Sequence, residues 1–226
     1  MKRLFTALVV ALLVVAASGA ALALVGNIKN TKHDLSSGST ATTKSTNENE
    51  ICVFCHTPHR ARVAVPLWNR DASSASYTTY NSTTIQGVRD SITGSSSNIS
   101  VLCLSCHDGT ISLGAIVNNY PAGAMARDQD PAMTGSVAAG PTPPAGSLTG
   151  TYTKLGTNLA GTHPIAIAYN TTPGDLVATA SIGPCELFNN KVECSSCHAV
   201  HGGTGHEPFL RVTMTGSALC LKCHLK

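Results

Sequence analysis

The pentapeptide Cys-x-x-Cys-His occurs four times in this chain, at Cys52–His56, Cys103–His107, Cys194–His198 and Cys220–His224. No other feature limits the fold so strongly. Two thiols at this spacing, followed at once by an imidazole, form the attachment pattern of a covalent c-type haem. One turn of chain brings both sulfurs to one edge of a porphyrin, where they add across its two vinyl groups. The same turn sets the histidine ring over the metal. With nine cysteines and nine histidines in 226 residues, chance would supply about 0.015 such pentapeptides. Four is decisive. The attachment residues are therefore Cys52, Cys55, Cys103, Cys106, Cys194, Cys197, Cys220 and Cys223, with His56, His107, His198 and His224 as the first axial ligands.

Zinc clusters, disulfides and thiol redox centres draw on the same residue types. Zinc does not require a histidine directly after every Cys-x-x-Cys pair, and an exported chain would oxidise such thiols readily. A thioredoxin-like centre needs a βαβ setting that this sequence lacks. Eight cysteines are consumed by the motifs. The ninth, Cys185, reads as a buried thiol acting as a small hydrophobe, with a functional thiol or an intermolecular disulfide as alternatives.

Composition points the same way. Aromatic residues make up 4% and charged residues 12% of the chain, too few large side chains to build an ample core unaided. Four covalently bound haem c groups would supply the missing apolar surface. The expected fold is mostly coil with short helices and one or two small hairpins, wrapped around a continuous stack of four haems. Short helices are expected at the motifs, for example over 217–223. Glu186-Leu187-Phe188 and Lys191-Val192-Glu193 flank Asn189-Asn190 and predict a hairpin, because asparagine tolerates the positive φ of tight turns. Asp71–Ser100, dense in Ser, Thr and Asn, and Pro121–Gly161, dense in Pro, Gly and Ala, read as coil laid over a surface. The motifs lie 21 residues apart at the last interval and 86 at the middle one, which excludes a fixed-period solenoid.

Residues 1–23 read as a secretory signal. Lys2 and Arg3 open it, Leu4–Ala17 is apolar but too short to span a bilayer, and Ala21-Leu22-Ala23 is a cleavage site, with Ser18-Gly19-Ala20 as the alternative. Residues 24–226 then form a tetrahaem domain, secreted through the periplasm and without membrane insertion. That domain has thirteen basic and twelve acidic side chains. Eight propionates from four haems would bring its formal charge to about −7, so no nucleic-acid partner is expected. Asn81, Asn98 and Asn170 open glycosylation sequons whose use depends on the host.

The second axial ligands decide between electron transfer and catalysis. Five histidines remain, His33, His59, His163, His201 and His206, for four irons. His59 and His201 each follow a motif histidine by three residues. A ring at that offset does not easily reach the far face of its own haem, so it is read as capping a neighbour. His163 sits in Gly161-Thr162-His163-Pro164, stiffened by the proline. His33 lies in the polar lead Gly26–Asn49, able to reach far, and His206 is the spare. The ligand set is thus completed by His33, His59, His163 and His201. Met125, Met133 and Met214 are rival ligands that would raise the potentials, but the histidines suffice.

Ile51–His59, Lys32-His33-Asp34-Leu35, Gly161–Ile165, and Val192–His201 with Pro208–Arg211 together resemble the doubled CxxCH multihaem cytochromes of metal-reducing bacteria. Within these the sequence is most similar to the OmcE-type tetrahaem extracellular cytochromes that polymerise into haem-lined filaments. The resemblance implies bis-histidine ligation of every iron, no enzymatic activity, and a homopolymer in which one distal histidine comes from the adjoining subunit. His33 is the candidate for that role, although it could equally serve its own chain. Further partners would be other redox cytochromes or extracellular acceptors. A periplasmic tetrahaem shuttle and a tetrahaem reductase with one open iron are the alternatives.

Overall fold

The computed structural model describes residues 27–62, 66–71, 73–94, 97–118, 131–134, 153–172, 174–202, 205–206 and 208–225. The expected signal segment and Met125 lie outside the described residues. No helix among the described residues is long and apolar enough to cross a membrane.

Coil dominates, as expected. Six two-residue strands pair into three separate ribbons among the described residues. β1 (Lys44–Ser45) runs antiparallel to β3 (Met133–Thr134), β2 (Thr78–Thr79) parallel to β4 (Asn158–Leu159), and β5 (Ile167–Ala168) antiparallel to β6 (Lys191–Val192). The longest regular element is helix α1 (Ser100–His107); α2 (Cys194–Cys197) is a single turn. Helix α1 packs Val101 and Leu104 inward and ends where Asp108 N donates to Leu104 O at 2.9 Å. Gly109 follows at φ +71, the left-handed position that closes helices. A Cβ there would lie 2.6 Å from the Lys154 side chain.

The core is small: Tyr77, Ile92, Val101, Leu104, Leu159 and Ala166, with Ala75 and Ile165 packed against it. Its membership corrects the reading of Asp71–Ser100 as surface coil. Tyr77 and Ile92 come from that segment, tied by Tyr77 N to Ile92 O at 3.0 Å, and Tyr77 Oη donates to Asp108 Oδ2 at 2.6 Å. The Ser and Thr residues there satisfy the backbone locally while the few large side chains turn inward. Leu104→Ala is expected to remove about 2–5 kcal/mol of stability, read as a lower thermal midpoint of the haem-loaded protein.

The expected turn at Asn189-Asn190 is present. Both residues have positive φ, 50° and 59°, and Phe188 and Lys191 exchange backbone hydrogen bonds of 3.0 Å. The strand that leaves it pairs with Ile167–Ala168 and not with Glu186. Helix over 217–223 is not formed. Two 3₁₀ turns stand instead, Thr215–Ser217 and Cys220–Lys222, because Gly216 and Ser217 both adopt φ 60° and interrupt any longer helix.

Candidate haem sites

Each motif is one helical turn, built in three ways. Motif two lies on α1, where Cys103, Cys106 and His107 fall at i, i+3 and i+4 and so share one face. Motif three occupies α2, and motifs one and four are 3₁₀ turns. The turn is closed by the motif histidine donating its N–H to the first cysteine's carbonyl, at 2.8 Å for His56 to Cys52, 3.1 Å for His198 to Cys194 and 2.9 Å for His224 to Cys220. No two of the nine cysteines pair as a disulfide. Among the described residues no three or more His, Cys, Asp or Glu side chains converge as a zinc site would need.

Backbone carbonyls set the tautomers. His56 Nδ1 meets Pro66 O at 2.7 Å, His107 Nδ1 meets Thr153 O at 2.6 Å and His198 Nδ1 meets Pro208 O at 3.0 Å. A carbonyl only accepts, so Nδ1 carries the proton and Nε2 keeps a lone pair for a metal. His163 is oriented likewise by Pro164 O at 2.9 Å.

Three motif histidines face a second imidazole. Ring centres lie 6.1 Å apart for His107 and His33, 6.1 Å for His56 and His201, and 6.3 Å for His224 and His163. Two imidazoles bonded to opposite faces of one metal stand about 6 Å apart, given two metal–nitrogen bonds of about 2 Å and ring radii of about 1.1 Å. All three pairs have that spacing. Burial, reinforced by neighbouring histidines, pushes His33 down to about 4, and burial also lowers His107 and His224. Neutral rings are the form that ligates.

His33 therefore sits within reach of its own chain's motif. The ring stacks on Phe209 at 4.6 Å, and the lead around it is pinned by buried Asp34, Leu35 and Ser36. Ser37 N donates to Glu48 O and Ser45 N to Leu35 O, each at 2.7 Å. The lead does not reach far, because these main-chain bonds and the Ser36 hydroxyl donating to Asp34 Oδ1 hold it in place. His201 faces His56, the histidine of a motif other than the one it follows. The ring of His59 is exposed and meets no other ring among the described residues. His198 is close enough to lower His107 and His33, yet it faces no second imidazole among the described residues. His206 is exposed.

Thiol contacts show which motifs are neighbours. Cys106 acts on Cys55, which burial pushes up to about 12. Cys103 and Cys194 share a hydrogen bond that raises the first and lowers the second, and Ser100 Oγ accepts from Cys194 N at 3.0 Å. Cys223 and Cys185 both lie near Cys197. Motif one thus has motif two nearby, motif two has motif three, and motif three has motif four, with buried Cys185 close to both Cys197 and Cys223.

A family model described as the doubled CXXCH motif matches residues 187–226, the stretch holding motifs three and four. It supports a multihaem c-type cytochrome. Covalent haem c at CxxCH motifs and electron transfer accompany that family. No curated protein matches the chain.

The rest of the site fits a multihaem cytochrome. Three buried side-chain nitrogens among the described residues lack a partner: His33 Nδ1, Trp68 Nε1 and Arg70 Nε. All three belong to residues beside a motif. Trp68 stands edge-on to His56, ring centres 6.0 Å apart, and Asn69 Nδ2 donates to Val53 O at 2.6 Å within motif one. Trp68, Asn69 and Arg70 were not among the residues singled out from the sequence. The one signal for them is that Trp68 is the sole tryptophan of a chain poor in aromatics.

Proposed function

We propose that this chain is a secreted tetrahaem cytochrome that carries electrons along a continuous row of four haems and polymerises into an extracellular conducting filament. The observation that carries the reading is the set of three imidazole pairs at 6.1–6.3 Å. A six-coordinate iron leaves no position for a substrate, so the haem supplies a one-electron couple. The chain's own residues hold the imidazoles, fix their tautomers and exclude water. Export is supported by the signal-like residues 1–23, which would place the protein beyond the cytoplasm and in contact with other cytochromes or outside acceptors.

Assembly is supported by what is left over. His198 needs a second imidazole, and His59 is an exposed imidazole on a held backbone. Thr57 Oγ1 and Asn118 Nδ2 both donate to His59 O, at 2.9 and 3.0 Å. His59 of one copy closing the His198 iron of the next would link subunits head to tail. This role passes to His59 from His33.

A second reading rests on the same vacancy: if nothing closes the His198 iron, the chain is a tetrahaem reductase or a monomeric shuttle with one reactive haem. Carbon monoxide separates the readings. The assembled protein is expected to carry four porphyrins by mass and to bind no carbon monoxide when reduced, whereas dispersed monomers bind it at one haem in four. Fewer than four porphyrins would end the tetrahaem reading. Carbon monoxide uptake by the assembled form would favour the enzyme.

A further inference from the structure

Arg70 is a buried cation with no counter-ion among the described residues. Its side chain is 0% exposed. The guanidinium donates to the Leu113 carbonyl, to Ser112 O at 2.7 Å and to Ser105 O at 3.1 Å, while Nε has no partner. No carboxylate of the described residues forms an ion pair with it. The acid at the same helix end, Asp108, is turned elsewhere: it accepts from Tyr77 Oη and from Thr110 N and Oγ1 at 2.6–2.8 Å. Three carbonyl dipoles, one from the last turn of α1, offset part of the charge but do not neutralise it.

The location matters as much as the charge. Asn69 N donates to Cys55 O at 2.9 Å, so Arg70 leaves directly from motif one. Its guanidinium ends on Ser105, between Cys103 and Cys106 of motif two. Each iron gains one electron, and loses one positive charge, when it goes from ferric to ferrous. A fixed cation in a low-dielectric seam favours the reduced form.

We infer that Arg70 is a positioning residue that raises the reduction potentials of the two haems held by motifs one and two above those of motifs three and four. This rests on the tetrahaem reading. It makes the row of sites uneven, with the more easily reduced end set by one side chain. A unit charge on the order of 10 Å from an iron, at an effective dielectric of about 20, changes a one-electron equilibrium by about tenfold, which is about 59 mV.

The test is a redox titration of the haem-loaded full chain, followed by the visible absorption of reduced haem, with porphyrin content measured first by mass. Arg70→Gln and Arg70→Met, the second keeping the apolar stem, are expected to retain four porphyrins and to move about half of the absorbance change tenfold toward the oxidised form at a given potential. Arg70→Lys is expected to keep the parent titration while lowering the thermal midpoint, because it retains charge but loses the fork. Asp108→Asn, which removes the opposite charge at the same helix end, is expected to shift in the other direction. Should neither neutral variant fold, Asp108→Asn and Arg70→Lys decide. A neutral variant that titrates like the parent with all porphyrins attached overturns the inference, as does a lysine variant that shifts, or Asp108→Asn that does not. Missing porphyrins in the parent protein would instead end the tetrahaem reading.

Discussion

Replacing His33 with alanine is expected to turn one of the four haems from low-spin to a high-spin, carbon monoxide-binding form while leaving assembly intact. The cause is local. His33 faces His107 at 6.1 Å and is the imidazole placed to close the second site from the far side. No other histidine ring stands against His107 among the described residues, so the vacancy has no substitute. The substitution also removes the stack on Phe209, which is worth about 0.5–1.5 kcal/mol, and the thermal midpoint should fall. Absorption of the reduced protein under carbon monoxide, with and without added imidazole, reads the opened site, and electron microscopy reads assembly. If His33 instead served a neighbouring subunit, filaments would vanish. If it served no iron, the spectrum would not change. Either result would remove the His33–His107 pair.

What could be read from the chain before its fold was the chemistry that local spacing determines. Cys103, Cys106 and His107 fall on one face because a helical turn puts i, i+3 and i+4 together, and that holds whether the turn is α or 3₁₀. The Asn189-Asn190 turn was legible for a similar reason, since two residues that tolerate positive φ sit between two short segments that can extend. Pairing of distant imidazoles was not. His201 meets His56, and His163 meets His224, because of how ribbons and loops pack across the molecule, and no local pattern encodes that. The polar lead misled in the opposite direction. Its polar composition reads as a stretch able to reach far, yet Asp34, Ser36, Ser39 and Glu48 within it are buried and hydrogen-bonded to their neighbours, which fixes His33 in place. Ser- and Thr-rich sequence hid Tyr77 and Ile92 in the same manner: composition averaged over a segment says little about two side chains within it.

His59→Ala is expected to abolish filaments and leave a haem-loaded monomer. The ring of His59 is exposed and meets no other ring among the described residues, so its loss should cost the monomer within about 0.5 kcal/mol, and porphyrin content should remain at four. Its proposed work is done only between copies, where one imidazole supplies both a metal bond and the register of the next subunit. Losing it leaves the His198 iron with one imidazole at every junction. Added imidazole should then restore the low-spin spectrum without restoring filaments, because a free ligand closes the iron but links nothing. His206→Ala is the control: His206 is equally exposed, and its variant should assemble normally. Filaments that persist in His59→Ala, or that disappear in His206→Ala instead, would move the junction to the other spare histidine. Sedimentation of the secreted protein measures the size change, and the spin state of the haem at His198 shows whether the change began at the iron or at the surrounding surface.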